Sequence, residues 1–358
     1  MSSVFESTVL ALGALLIAAT LLPLWRHDAW WVRSCDFPRP QILAVGLLST
    51  AAFAGLTSSW TIFDNLFLTL CGLCLAIQIH RIYPYTPLAP KQVLGGDRPA
   101  VGPVLSLLVA NVLMENRRSG ALLDLIRRWS PSLVLTVETD DRWELELRAL
   151  EAEYPFTVKR PLANTYGMLL HSRLELLEPE VKHLVESEVP SIHARVALAG
   201  GRQVQLRLLH PKPPYPAESL ETTERDAELL MVGRDVGASS APTIVAGDLN
   251  DVAWSYTTRL FQRLSGLLDP RIGRGLYSTF HAKLPGLRWP LDHVFHSAHF
   301  RLVRLERLPA FGSDHFPVFV ELALEPGAEI VQDEPQPEAG DLESAAEKIE
   351  AGEPREKL

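Results

Sequence analysis

The stretch TIVAGDLND, residues 243–251, is an apolar strand that ends in a cluster of polar residues. Its first four residues have the β-branched and small apolar side chains that are typical of a buried strand. After Gly247 the chain carries Asp248, Asn250 and Asp251 within four positions. On its own, this strand end is compatible with a turn and a helix cap as well as with a functional site, so the rest of the chain must decide.

Residues 101–324 alternate strand-like and helix-like segments. VLSLLVANVL, SLVLTVE and QVQLRLLH are rich in Leu and Val, whereas GALLDLIRRW and YTTRLFQRLSG have apolar residues at helical spacing. Many short strands with a few long helices between them predict an α+β fold, a two-layer β-sandwich flanked by helices. We assign residues 101–324 to this domain.

Polar side chains that are able to bind metal ions or phosphate occur at the termini of these strands. A single Asn after a strand is often a turn residue, and a single His is more often structural than catalytic. Their joint occurrence is harder to explain by folding alone. The set comprises Asn111, Glu138, His210, Asp248, Asn250, Asp292, Asp314 and His315.

This set, in this order, resembles the endonuclease/exonuclease/phosphatase superfamily. The motifs GDLN (247–250) and GSDHFP (312–317) are the most specific, and the resemblance spans Val104 to Leu324. The segments NVLMENR, HPKPP and RWPLDHVFHS are similar to a membrane-anchored bacterial branch that includes a vancomycin-resistance protein. The resemblance implies a four-layer DNase I-like fold and a metal-dependent hydrolase of phosphoric esters.

The resemblance also implies a metal site. It assigns the metal to Asn111 and Glu138, with Asp314 nearby, and these residues supply the amide and carboxylate oxygens that Mg²⁺ prefers. We therefore expect magnesium as the cofactor, with manganese as the alternative.

By the same resemblance, the catalytic residues are His210, Asp248, Asn250, Asp292 and His315. Asp248 orients and deprotonates the attacking water, and Asn250, two residues further along, holds a phosphoryl oxygen. His315 contacts the scissile phosphate, and Asp292 fixes its tautomer. His210 donates to phosphate oxygens or to the leaving group.

Several polar residues close to these motifs are interpreted as structural. We expect Asp251 to cap the helix after GDLN, with a metal-site role as the alternative. A structural role is also predicted for His171, His293 and His296, and a helix-surface ion pair for Arg225 and Asp226.

The first 82 residues are interpreted as three transmembrane helices, followed by a linker at 83–100. Ser7–Trp25 is an uncharged run of 19 residues, close to the ~20 needed to span a bilayer. The apolar stretch from Gln41 to Ile79 is too long for one helix, so we divide it into spans at 41–58 and 60–79. A cleaved signal peptide is the alternative for the first run, but it lacks a basic n-region.

Arginine and lysine residues in the short loops predict the orientation. Three arginines lie in residues 26–40, and Arg81 and Lys91 follow the last span, whereas the N-terminal segment has none. The positive-inside rule therefore predicts a multi-pass cell-membrane protein with a cytoplasmic catalytic domain. An extracytoplasmic domain is the alternative, because a lipid carrier with its phosphate in the outer leaflet would require it.

Residues 325–358 form an acidic tail that we expect to be disordered. It contains 11 acidic and 3 basic residues and has no aromatic residue. Since the whole chain has a net charge of −9, the remainder is nearly neutral. Nucleic acid is thus a less favoured partner, because proteins that bind duplex DNA usually present a basic surface.

The sequence therefore predicts a membrane-anchored, Mg²⁺-dependent phosphoesterase whose partners are the lipid bilayer and a lipid-linked phosphate, pyrophosphate or phosphodiester. Two alternatives stay open. One is an anchored nuclease acting on nucleic acid, and the other is a membrane scaffold that has lost its activity.

Overall fold

The structure is a computed structural model that describes residues 3–57, 60–97, 103–215 and 218–353. The predicted turn at Ser58 and Ser59, the proposed start of the catalytic domain at residue 101, and the last five residues of the tail lie outside these ranges.

In the described residues before the first strand there are four α-helices and three short 3-10 helices. The α-helices are α1 (Ser3–Leu21), α2 (Trp30–Arg33), α3 (Arg39–Leu56) and α4 (Ile62–Ile82). Three segments are long and apolar enough to cross a membrane, namely Val4–Trp25, Arg39–Leu56 and Ile62–Tyr85. Only 22–33% of the residues in the most apolar part of each segment are buried inside the protein. Uncovered apolar helices of this length are suited to a lipid environment.

A buried polar chain connects the three long helices. The Arg39 guanidinium donates to Gln78 Oε1 (3.0 Å), and Gln78 Nε2 donates to Thr20 Oγ1 (2.8 Å). Interhelical hydrogen bonds of this kind stabilise helix packing in membranes, where apolar surface gives little driving force. The three helices are thus bonded into one bundle.

Eleven strands form two mixed sheets in the described chain. The strands are β1 (Val104–Asn111), β2 (Leu133–Val137), β3 (Phe156–Arg160), β4 (Met168–Ser172), β5 (Leu176–Lys182), β6 (Ser191–Ala197), β7 (Gln203–Leu209), β8 (Thr243–Asp248), β9 (Asp292–His296), β10 (Phe300–Arg307) and β11 (Val318–Leu324). The six-stranded sheet has the order β10-β11-β1-β2-β4-β3, and the five-stranded sheet has the order β5-β6-β7-β8-β9.

The two sheets pack face to face over one apolar core. Val109 of β1 and Val320 of β11 belong to the same buried cluster as Leu206 and Leu208 of β7 and Val294 of β9. Burying a Val or Leu side chain of this kind stabilises the fold by ~1.5–3 kcal/mol. The predicted two-layer sandwich is therefore confirmed.

Helices cover the outer faces of both sheets. They are α5 (Ser119–Trp129), α6 (Asp141–Leu147), α7 (Thr223–Gly237) and α8 (Tyr256–Ser265). Helix α8 begins at the cap Ser255, whose Oγ accepts from Thr258 N–H (3.0 Å), and ends at Gly266 in a left-handed conformation. The helix predicted from YTTRLFQRLSG is therefore confirmed.

The expectation of a disordered tail is corrected for its described part. Residues Asp341–Gly352 form helix α9, which packs on α7 and buries Ala345 and Ile349. Lys348 donates to Asp28 Oδ1 (2.6 Å) and Asp226 Oδ2 (2.9 Å). The acidic composition suggested that the tail had too little apolar surface to fold, but two apolar side chains and one buried lysine are enough to dock it on an existing surface.

Candidate active site

The predicted site residues from both sheets meet at one edge of the sandwich. Strands β1 and β2 run parallel, as do β7 and β8, so the carboxyl ends of each pair lie at the same edge. Strands β9 and β11 run antiparallel to β8 and β1, so their amino ends return to that edge. The residues placed there are Asn111, Glu138, His210, Asp248, Asn250, Asp292, Asp314 and His315.

The GDLN turn is fixed by its own backbone and by a close strand contact. Gly247 has φ 147°, and a Cβ at this position would lie 1.8 Å from the carbonyl oxygen of Leu209, so only glycine fits. Asp248 Oδ1 accepts from the Asn250 N–H (3.0 Å), and Asn250 Nδ2 donates to the Pro211 carbonyl (2.9 Å). These bonds hold the Asp248 carboxylate and the Asn250 amide at the rim of one cleft.

Asn111 connects the two sheets across the site. Its Nδ2 donates to Glu138 Oε1 (2.6 Å) and to Asp248 Oδ2 (3.0 Å), while its Oδ1 accepts from the Leu113 N–H (3.0 Å). The amide nitrogen, not the oxygen, thus faces the carboxylates. Ligation of a metal by the Asn111 oxygen would require the amide to rotate, so that role stays a prediction.

Glu138 is held in an unusual environment for a carboxylate. It has φ 60°, in the left-handed region, where the backbone turns the side chain into the cleft. Burial, opposed by the Asn111 hydrogen bond, raises the pKa of Glu138 to about 7. A carboxylate whose charge is this poorly compensated by the protein is suited to binding a cation.

His315 lies between two carboxylates. Its Nδ1 is 2.7 Å from Asp292 Oδ2, and its Nε2 is 3.6 Å from Asp248 Oδ2. Burial would lower the pKa of His315, but Asp292 and Asp248 outweigh it and raise the pKa to about 10. The imidazole is therefore a cation at neutral pH, oriented by Asp292.

His210 has the opposite character. It is fully enclosed beside the Tyr166 ring (5.8 Å between centroids), and its Nδ1 has no hydrogen-bond partner among the described residues. Burial lowers the pKa of His210 to about 4. A neutral imidazole with an unused ring nitrogen is therefore available at this edge.

The donor set at this edge fits a divalent cation. Asp248, Asp292 and His315 each have a ligand atom within 4.8 Å of the others, and Glu138 and Asp314 line the adjoining cleft. Carboxylate oxygens in this number suit a hard cation such as Mg²⁺. Because His315 and Asp292 are bonded to each other and Asp248 accepts from Asn111 and Asn250, Glu138 and Asp314 are the better candidates for ligands.

Arg225 is a supporting residue that the sequence did not single out for the site. It forms the expected ion pair with Asp226 (2.7 Å), but the pair is buried, and Arg225 Nη1 donates to the Asn250 carbonyl (2.8 Å). Arg225 also lies 3.6 Å from Asp251 Oδ1. It therefore holds the GDLN turn from behind, an interaction between segments 25 residues apart that gives no local signal.

The residues predicted to be structural mostly have structural partners. His293 contacts Arg271 Nη2 (2.6 Å) and the Asp251 carbonyl (2.9 Å) away from the cleft. The predicted helix cap at Asp251 is wrong, because Ser255 is the cap. Asp251 instead accepts from the hydroxyls of Ser255 and Thr258 and so supports that cap. His171 and His296 are buried within β4 and β9.

Residues 108–315 match the sequence profile of the Endonuclease/Exonuclease/phosphatase family. Solved structures with a similar fold include an endonuclease/exonuclease/phosphatase from Beutenbergia cavernae (19% identity, TM-score 0.51, covering 62% of this chain and 72% of that one). The human Nocturnin catalytic domain is also similar, with 17% identity and a TM-score of 0.51 over 62% of this chain and 95% of that one. So is an endonuclease/exonuclease/phosphatase from Bacteroides vulgatus, with 18% identity and a TM-score of 0.50 over 62% of this chain and 99% of that one. No curated protein matches the chain. At these identities the likeness shows the fold alone.

Proposed function

Because the chain belongs to the endonuclease/exonuclease/phosphatase family, whose members are typically metal-dependent hydrolases of phosphate esters, we propose that it is a membrane-anchored phosphoesterase. Its substrate is a phosphate ester, pyrophosphate or phosphodiester carried by a membrane lipid. The observation that supports this proposal best is the cleft itself, since one cavity is lined both by His315 and Asn250 and by residues that connect two membrane-spanning helices.

Glu138 and Asp314, with Asn111 after rotation of its amide, would hold the metal, which we propose to be magnesium. When bound, the ion supplies positive charge that offsets the repulsion between phosphoryl oxygens and an attacking nucleophile. The ion would stabilise the charge of Glu138, because this partly buried carboxylate has a single side-chain donor, Asn111.

Asp248 activates the attacking water. Burial on its own would raise the pKa of Asp248, but His315, His210 and the N–H donors of Asn111 and Asn250 outweigh it and lower the pKa. The carboxylate is therefore ionised at neutral pH and can accept a proton. As the water oxygen bonds to phosphorus, its proton passes to Asp248 and the bond to the leaving oxygen breaks.

Donors around Asp248 stabilise the phosphoryl group. Asn250 Nδ2 uses one hydrogen on the Pro211 carbonyl, which leaves the second for a phosphoryl oxygen. The cationic His315, oriented by Asp292, offsets the negative charge that develops on the departing oxygen. His210, neutral and enclosed, serves as a hydrogen-bond donor at the same edge.

The membrane side of the proposal rests on the contacts of residues 26–38, which we call the anchor loop. Backbone bonds join it to the domain, from Trp30 N–H to the Leu220 carbonyl (2.9 Å) and from Thr222 N–H to the Asp28 carbonyl (2.8 Å). Three spans would place the anchor loop and the domain on one side of the bilayer, and these contacts support that arrangement. The arginines of the anchor loop favour the cytoplasmic side.

A substrate panel tests the proposal. Full-length protein in lipid nanodiscs with Mg²⁺ is given lipid monophosphates, lipid pyrophosphates, phosphodiester lipids and plasmid DNA, and released phosphate, headgroup or nicked DNA is measured. We expect turnover of a lipid substrate. Cleavage of DNA alone, falling steeply with salt, would assign the site to nucleic acid instead.

Metal binding separates an enzyme from an inactive scaffold. Calorimetric titration of Mg²⁺ into the full-length protein should show binding that Glu138→Gln weakens at least tenfold. The exposed Glu347 provides the matched control, and Glu347→Gln should leave the titration unchanged. Absence of any Mg²⁺ or Mn²⁺ binding, together with no turnover on the panel, would favour the scaffold.

A further inference from the structure

The cavity in front of the candidate active site has two chemically different ends. It encloses about 540 Å³. Glu138, Asn250, Asp314 and His315 line its polar end, whereas Phe37 and Pro38 of the anchor loop line the other end. A pocket formed only for a phosphate group would need the polar end alone.

Three aromatic rings form a continuous wall between these ends. The Phe37 ring meets Trp289 edge to face (6.0 Å between centroids), Trp289 stacks on Phe280 (5.8 Å), and Phe280 lies 5.0 Å from the His315 ring. These spacings are those of favourable aromatic pairs. We call Phe37, Trp289 and Phe280 the aromatic wall. It extends from the anchor loop to the imidazole.

The anchor loop is held firmly where it forms this wall. The buried Trp254 donates from Nε1 to the Asp36 carbonyl (2.7 Å), directly before Phe37. The Asp36 carboxylate forms ion pairs with Arg39 and Arg33. Phe37 is therefore positioned by the domain and by the start of the second span together.

The position of the wall indicates what occupies it. It begins at the loop between two of the helices that are proposed to span the membrane, so in the proposed anchoring its outer end is the end nearer the bilayer. A molecule that places a phosphate beside His315 and continues along the wall toward the membrane must be apolar next to its phosphate. The hydrocarbon chain of an amphiphilic phosphate meets this requirement.

We propose that the aromatic wall binds the first carbons of the hydrocarbon chain attached to the substrate phosphate, so that the membrane anchor contributes part of the substrate site. This inference rests on the proposed phosphoesterase function and adds a source of specificity to it. Phe37 is the specificity-determining residue, because it is the part of the wall that the anchor supplies.

Binding of alkylphosphonates of increasing length tests this proposal without requiring turnover. Ethyl-, butyl- and octylphosphonate are titrated into the full-length protein in nanodiscs with Mg²⁺, and the dissociation constant of each is measured. A fully buried methylene improves affinity about fourfold. We therefore expect octylphosphonate to bind at least roughly tenfold more tightly than ethylphosphonate, allowing for partial burial.

Phe37→Ala should remove most of this gain, so that octylphosphonate binds little more tightly than ethylphosphonate, and Phe37→Leu should restore it. Trp31→Ala is the matched control, because Trp31 is an exposed aromatic residue of the anchor loop that does not line the cavity. Thermal unfolding of each variant shows whether it is folded.

Three results would overturn the inference. They are equal affinities for all chain lengths in the unmodified protein, a chain-length gain that survives Phe37→Ala, and tighter, Phe37-dependent binding of a nucleoside monophosphate. If even ethylphosphonate fails to bind and no substrate is turned over, the proposed function fails as well. Ethylphosphonate binding without a chain-length gain refutes the aromatic wall alone.

Discussion

Replacing Glu228 by glutamine should stabilise the protein at high pH and leave it unchanged at low pH. Glu228 lies on α7, the helix that also carries Arg225, and only 3% of its surface is exposed. Its Oε1 has no hydrogen-bond partner among the described residues. Burial, with a smaller contribution from the Glu186 carboxylate, raises the pKa of Glu228 to about 8.

The sign of the pH dependence follows from linkage. Between pH ~4.5 and ~8 the unfolded chain releases the Glu228 proton while the folded protein keeps it, so the free energy of unfolding falls as pH rises. The free energy of unfolding falls by at most about 1.4 kcal/mol per pH unit, so the total decrease by pH 8 is at most about 5 kcal/mol. Glutamine is neutral in the folded and in the unfolded protein, so the variant does not show this decrease in the free energy of unfolding.

Thermal unfolding of the full-length protein in detergent, followed by tryptophan fluorescence, measures the effect. At pH 5 the variant and the unmodified protein should differ little, and at pH 8 the variant should unfold several degrees higher, at roughly 2–4 °C per kcal/mol. Glu347→Gln on the exposed face of α9 is the control and should have no effect at either pH. Equal stabilisation at both pH values, or none at pH 8, would refute the burial of the Glu228 carboxyl group.

Three further predictions concern the site and its supports. Gly247→Ala should abolish activity and lower the melting temperature, because the added Cβ would collide with the Leu209 carbonyl oxygen. Gly120→Ala is the control and should be neutral or slightly stabilising, because Gly120 on α5 has open space around it. Lys348→Met should destabilise the protein by ~1.5–3 kcal/mol, because the buried Asp226 keeps Arg225 but loses a charged hydrogen bond, and Lys182→Met, in an exposed ion pair, by less than ~1 kcal/mol. Arg225→Lys should lower kcat more than it changes KM, because the turn behind the catalytic carboxylate loses its guanidinium contact; an unchanged kcat would contradict that positioning role.

Much of the fold could be predicted because its signals are local. Buried strands such as β8 are recognisable from continuous apolar residues, and Gly266 marks the end of α8. The candidate site residues were predicted from polar groups that recur at strand ends and from the family resemblance, and the structure brings them to one edge of the sandwich. The direction of each strand decided which ends meet, and hydrophobic patterning does not contain this information.

The supporting interactions could not be predicted because they join distant segments. Phe37 reaches the cleft from the anchor loop, some 250 residues before Trp289 in the chain, and no motif in the sequence relates the two positions. Helix α9 looked disordered for the same reason, since Lys348 gains its partners from α7 and from the anchor loop. Composition describes what a segment can bury by itself, whereas these segments fold on surfaces formed elsewhere.

We propose that the Asp248 edge hydrolyses a lipid phosphate, and a comparison of three proteins tests this proposal. Mg²⁺-dependent release of phosphate or headgroup from lipid substrates in nanodiscs is measured for the unmodified protein, for Asp248→Asn and for Asp124→Asn, an exposed carboxylate on α5. We predict a loss of at least ~100-fold in kcat for Asp248→Asn and no change for Asp124→Asn. Activity that survives Asp248→Asn, or the absence of lipid phosphate hydrolysis in the unmodified protein, would contradict the claim.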